Sequence, residues 1–100
     1  MVKWATPAKK DLKKIYDYIA NDSKYYAKNV AQNIVAKTEE LEKFPEIGRV
    51  VPEIGDSNVR ELFIYSYRLI YEIKPDSVEI LALIHGRRDF PSIKRSEFDR

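Results

Sequence analysis

The sequence predicts an α+β fold: an N-terminal strand, a helical hairpin and then a three-stranded antiparallel meander, in the order β-α-α-β-β-β, with both helices on one sheet face. Three observations carry this expectation. Residues 60–88 fall into three short runs rich in β-branched and aromatic side chains, parted by turn chemistry. Apolar residues recur at helical spacing on either side of Asn21, Asp22 and Ser23. A chain of 100 residues makes one domain, residues 1–100, and its helices must share a sheet face to build one core.

Each element has its own warrant. Residues 2–5 are short and β-prone and predict a first strand, with Trp4 facing the core. Thr6 and Pro7 mark a helix start, Thr as a cap and Pro in the first turn. Leu12, Ile15, Tyr16 and Ile19 then form one apolar stripe. Lys9, Lys10, Lys13 and Lys14 take much of the remaining surface and read as a solvated helix face. Asn21, Asp22 and Ser23 break this helix and offer caps for the next.

The second helix runs through Ala27, Val30, Ala31, Ile34, Thr38 and Leu41, and Phe44 before Pro45 ends it. The link between the helices is short, so they form an antiparallel hairpin. Residues 45–58 hold two prolines and two glycines and read as a long loop.

Arg60, Leu62 and Ile64 share one face of the next strand. Tyr67, Leu69, Tyr71 and Ile73 share one face of the following strand, with Arg68, Ile70 and Glu72 on the other. This alternation predicts one buried and one partly open face. The last run, Val78–His85, is apolar on both faces apart from Glu79 and so belongs inside the sheet. Lys74, Pro75, Asp76 and Ser77 make a hairpin turn, and Ser66 lies in a tighter reversal. With both helices on one side, the other sheet face is expected to lie uncovered and to carry arginines.

Composition excludes several classes of chemistry. There is no cysteine, hence no disulfide, thiolate metal site or cysteine nucleophile, and a single histidine argues against structural zinc. No metal or other cofactor is expected. The net charge of +2 is too mild to identify a nucleic-acid binder by itself. The kind of cation is more telling. Residues 1–50 hold nine lysines and only Arg49; residues 51–100 hold six arginines and two lysines. Lysine suits solvated helix faces, whereas the arginine fork suits phosphate and carboxylate. No signal peptide or bilayer-spanning run is visible, which predicts a cytoplasmic protein with no membrane partner.

Phosphate loops, zinc patterns and nucleophile elbows are absent. The candidate functional group is therefore Arg60, Glu61, Tyr67, Arg68, Tyr71, His85, Arg87, Arg88 and Lys94. Such residues have the chemistry to cleave RNA without metal: one side chain takes the 2′-hydroxyl proton, another protonates the leaving oxygen, and arginine stabilises the charged phosphate. His85 is the one side chain that ordinarily titrates near neutrality, although a lone histidine at a strand end is more often structural.

The order and spacing of these residues resemble the RelE/ParE toxin superfamily over nearly the whole chain. The resemblance runs through Trp4, Asp11, Leu12, Ile15, Tyr18 and Ile19, then Ala27, Ile34, Leu41 and the Pro45-x-x-Gly48-Arg49 loop. It continues through Arg60-Glu61-Leu62 and Tyr67-Arg68-Leu69-Ile70-Tyr71, and closes on His85-Gly86-Arg87-Arg88. It implies the toxin of a type II toxin–antitoxin module, a helical hairpin on a twisted antiparallel sheet, and a cognate antitoxin whose C-terminal segment wraps the toxin in a hetero-oligomer. Two activities occur in the superfamily. The RelE-like branch cuts mRNA in the ribosomal A site; the ParE-like branch poisons DNA gyrase and needs no hydrolytic residues.

Carried over residue by residue, Arg68 and Arg88 match functional arginines of the RelE-like ribonucleases, and Arg60 falls near one of their strand lysines. With His85 these make the candidate catalytic group (Arg68, Arg88, His85), flanked by candidate binding residues Arg60, Arg87, Tyr67 and Lys94. Leu62 stands where a second lysine belongs. The tyrosine expected after the last strand is missing, with Phe90 and Pro91 close by and Lys94 near its place. Phenylalanine cannot exchange a proton, so no strong acid–base pair is visible. The long hairpin and the Pro-x-x-Gly-Arg loop lean toward the ParE-like, gyrase-directed branch, with the ribosome-dependent endoribonuclease as the alternative.

Overall fold

In the order of the chain, β1 (Val2–Trp4) leads into α1 (Thr6–Ala20) and α2 (Lys24–Glu39), which one 3-10 turn, Glu40–Glu42, extends. The sheet is completed by β2 (Arg49–Val50), β3 (Val59–Ile64), β4 (Tyr67–Ile73) and β5 (Val78–His85). The structure is a computed structural model and describes residues 1–85. Arg87, Arg88 and Lys94 lie outside the described residues.

The junction between β1 and α1 differs from expectation by one residue. Ala5, not Thr6, is the helix cap, and Thr6 is already helical. The Ala5 amide donates to the Ile80 carbonyl at 2.9 Å, while its own carbonyl accepts from Lys9 at 3.0 Å. Strand thus becomes helix across a single residue, leaving no place for a side-chain cap. At α2 the expected cap holds: Ser23 Oγ accepts from the Tyr26 amide at 3.1 Å.

The sheet order is β1-β5-β4-β3-β2. β1 runs parallel to β5, and the other neighbours are antiparallel. β5 is internal, flanked by β1 and β4, as its two apolar faces predict. The Lys74–Ser77 turn closes with the Lys74 amide on the Ser77 carbonyl at 2.8 Å.

Both helices pack on one face of this sheet. Ala8 from α1 and Val30 and Ile34 from α2 meet Leu69, Tyr71, Ile80 and Leu83, with Trp4, Leu12, Ile15 and Ile19 around them. Burying each large apolar side chain here contributes about 1.5–3 kcal/mol. Past the end of β1, the edge of β5 is served by a side chain: Asp11 Oδ2 accepts from the Leu83 amide at 3.0 Å.

Two expectations need correction. Among the described residues the sheet has five strands, because Arg49 and Val50 in the presumed loop pair with Glu61 and Arg60. The second sheet face is also not uncovered. Val51 and Ile54 pack against Val59, Ile70, Leu81, Ala82 and Ile84, forming a separate apolar cluster with no helical member among the described residues. The cause is local. Residues 51–59 fold back on themselves, with the Val51 amide on the Val59 carbonyl at 3.1 Å and the Ile54 and Gly55 amides on the Val51 carbonyl. Gly55 sits at φ +72°, a conformation glycine adopts without steric cost. A bulge also contributes: register shifts between Ile70 and Tyr71, leaving Leu81 without a partner on β4, and Leu81 and Ala82 both enter this cluster.

Candidate functional site

Two regions gather the polar and aromatic side chains of interest, one on each sheet face. On the face under residues 51–59, Arg68 is buried, with only 6% of its surface exposed. Cross-strand pairing sets Arg68 opposite Phe63 on one side and Ile84 on the other. Its Nε donates to Glu61 Oε1 at 2.8 Å, and its terminal nitrogen pairs with the same oxygen. The outer edge of the fork grips Glu53, at 3.0 Å to Oε2 and 3.2 Å to Oε1. Glu61, fully buried, is held on its other oxygen by Arg49 Nε at 2.5 Å. Arg49 lies in the open, its guanidinium 5.7 Å from the Phe63 ring centroid.

The result is an alternating chain of charge, Glu53–Arg68–Glu61–Arg49. Burial opposes the charge on Arg68, but the hydrogen bonds and charges of Glu53 and Glu61 outweigh it and raise its pKa further above the arginine range. Forked pairing of this kind matches guanidinium to carboxylate geometry. It also ties the 51–59 cover to β3 and β4.

Arg60 projects to the helix side with its β4 partner Tyr71. Its guanidinium donates to the carbonyls of Ser57 and Gly48, both at 3.0 Å, and so ties the residue before β2 to the end of the connection that leads into β3. Beside it Tyr71, fully buried, accepts from the Gly48 amide at 2.9 Å and donates to the Pro45 carbonyl at 2.7 Å. Burial pushes the Tyr71 hydroxyl pKa above 10, despite the opposing pull of the Gly48 bond and the Arg60 charge. These contacts explain the Pro45-x-x-Gly48 spacing. A Cβ on Gly48 would lie 2.5 Å from the Glu61 carbonyl oxygen and 2.6 Å from the Tyr71 hydroxyl.

The second region lies at the other end of the sheet, on the helix side. A groove of about 690 Å³ opens between the tip of the helical hairpin and the β3–β4 turn. Its apolar floor is Ile15, Ile19 and Val30; its walls carry Tyr18, Tyr26, Tyr65 and Tyr67, with Lys14 and His85 at the rim. Tyr67 and His85 are cross-strand partners whose rings meet edge to face, 6.1 Å apart at 81°. Tyr65 holds φ +56° in the turn, where glycine or asparagine is preferred, at a cost on the order of 1–3 kcal/mol. Its hydroxyl accepts from Asn33 Nδ2 of α2 at 2.7 Å.

Among the described candidates, then, Tyr67 and His85 share the groove, Arg60 serves the loop on the same sheet face, and Arg68 lies on the opposite face, apart from His85. Sequence reasoning missed Tyr65, Tyr18, Tyr26 and Glu53. Tyr65 carried a readable signal: a bulky residue at a tight reversal. Among the described residues, no cluster of histidine and carboxylate suits a metal ion, and no helix is long and apolar enough to cross a membrane.

Comparison with known proteins adds a lineage. Residues 2–90 match the family described as the ParE toxin of type II toxin–antitoxin systems, parDE. The chain is also similar to a solved structure of a chromosomal ParDE toxin–antitoxin system from P. aeruginosa. That similarity has a TM-score of 0.70 and 25% identity, over 84% of this chain and 92% of the other. No curated protein matches the sequence.

Proposed function

The chain belongs to the ParE toxin family of type II toxin–antitoxin systems, and from that premise we propose that it inhibits growth by binding and poisoning DNA gyrase. It is the toxin of its module, with a cognate antitoxin as partner. The action is protein–protein binding and needs no cofactor. A gyrase target also puts the toxin in the cytoplasm.

The observation that carries this reading is the state of Arg68. A ribonuclease of the RelE-like kind needs guanidinium groups facing a phosphate. Here Arg68, one of the two matching arginines, is buried, its fork filled by Glu53 and Glu61, beneath the 51–59 cover. A phosphate would have to displace two carboxylates, one of them fully buried. His85, the candidate proton carrier, is on the other face. This favours a surface used for docking over a site used for hydrolysis.

The test sets purified toxin against two targets: gyrase with supercoiled DNA, and a translating ribosome extract. Gyrase-dependent DNA cleavage with intact message supports the proposal; trimmed message with unaffected gyrase supports a ribosome-dependent endoribonuclease. Arg88→Ala separates the two further. It abolishes growth inhibition if Arg88 holds a scissile phosphate, and an Arg88→Ala chain that stays toxic without antitoxin removes that residue from any such role.

A further inference from the structure

We propose that the tyrosine-walled groove at the hairpin tip is a binding site for single-stranded nucleic acid, taking one or two unstacked bases between its rings. This goes beyond the reading above and does not depend on which target the toxin poisons. The chemistry comes from the walls. Tyr18, Tyr26 and Tyr65 are all exposed, at 75%, 54% and 51%. Three phenol rings therefore stand in water around one groove, where a flat π-surface gains by covering them. Every base has such a face, and stacking on aromatic side chains tolerates any sequence.

Charge points the same way. Among the described residues lining the groove none is acidic, and Lys14 stands one helical turn before Tyr18, on the same face of α1. An ammonium at that place is suited to a backbone phosphate beside a stacked base. The groove's volume of about 690 Å³ leaves room for a nucleobase with its sugar.

Tyr65 supplies an independent argument. The β3–β4 turn holds this bulky residue in the left-handed region, where glycine or asparagine is at ease. The Asn33 hydrogen bond then fixes the hydroxyl end against α2. The ring is thus oriented before any ligand arrives, at a position where a residue better for folding was available. Local rules broken in this manner concentrate at functional sites.

The test is a fluorescence-anisotropy titration of labelled oligothymidine and oligouridine with the full-length toxin, at low and moderate salt. Saturable binding is expected, with a shallow salt dependence because the described lining offers a single lysine. Tyr18→Ala and Tyr26→Ala should each weaken it about 5- to 100-fold, whereas Tyr18→Phe, which keeps the ring, should not. Lys14→Ala should weaken binding and flatten the salt dependence; Lys9→Ala, outside the groove, should do neither. Thermal melts keep the reading clean, since Tyr18 and Tyr26 are exposed and their replacement should leave stability unchanged. A preference for one oligomer identifies whether DNA or RNA is the source. No saturable binding, or binding that Tyr18→Ala and Tyr26→Ala leave intact, overturns the proposal. So does a groove that binds neither oligomer but cross-links through residue 18 to a protein partner.

Discussion

Tyr71 fastens the loop at Gly48: its buried hydroxyl accepts the Gly48 amide at 2.9 Å while donating to the Pro45 carbonyl at 2.7 Å. One phenol thereby joins β4 to the segment that leads into β2. Tyr71→Phe keeps the ring but leaves the buried Gly48 amide and the part-buried Pro45 carbonyl unmatched, and should destabilise by about 1–3 kcal/mol. Tyr71→Ala removes the ring as well and should cost about 3–5 kcal/mol. Denaturant unfolding measures both, and an unchanged midpoint for Tyr71→Ala would refute the buried placement.

Gly48 is the other half of that joint. A methyl group there meets a backbone carbonyl at 2.5 Å, and a strand does not yield as a flexible side chain does. Gly48→Ala should therefore destabilise by about 1–3 kcal/mol. Thermal melting at matched concentration is sufficient to read it.

The same hydroxyl predicts the alkaline limit of stability. Burial raises the folded-state pKa of Tyr71 above the value of 10 that it has in the unfolded chain. A raised pKa means the contribution is fully present below pH 10 and is lost as pH climbs toward the folded-state value. The melting temperature should fall on that side, and Tyr71→Phe should fall less steeply. Equal slopes would assign the alkaline loss to other groups.

Asp11 carries a prediction about the junction of helix and sheet. Its carboxylate accepts from the Leu83 amide of β5 beyond the reach of β1. Asp11→Ala should cost about 1–3 kcal/mol and raise hydrogen exchange at Leu83. Exchange unaltered at that amide would argue against the contact.

How much of this was legible in the sequence depends on what each pattern could mean. The alternation of Tyr67, Leu69, Tyr71 and Ile73 fixes a face without ambiguity, because all four enter or border the main core. The Ser23 cap and the Lys74–Ser77 turn are local chemistry and were equally readable. Residues 45–58 were harder. Proline and glycine mark irregular backbone, yet the stretch hides a two-residue strand and an apolar cover, signalled only by Val50, Val51 and Ile54.

Arg68 was the hardest to judge. Alternation placed it correctly, but a cation on a solvated face and one locked between buried carboxylates give the same letter in the sequence. Only tertiary pairing with Glu53 and Glu61 separates them. The tyrosine groove is a further case. Its rings come from Tyr18, Tyr26 and Tyr65, on three elements that no spacing rule links.

The central claim is that Arg68 serves the fold and does not itself offer a phosphate site. It is tested most directly by the unfolding free energy of Arg68→Ala. Removing one partner from a buried ion pair costs about 3–5 kcal/mol, because Glu61 stays charged and buried with only Arg49, on its other oxygen, to pair it. A loss of that size is the predicted result. Stability within about 0.5 kcal/mol of the parent would contradict the account and return Arg68 to the candidates for binding a target.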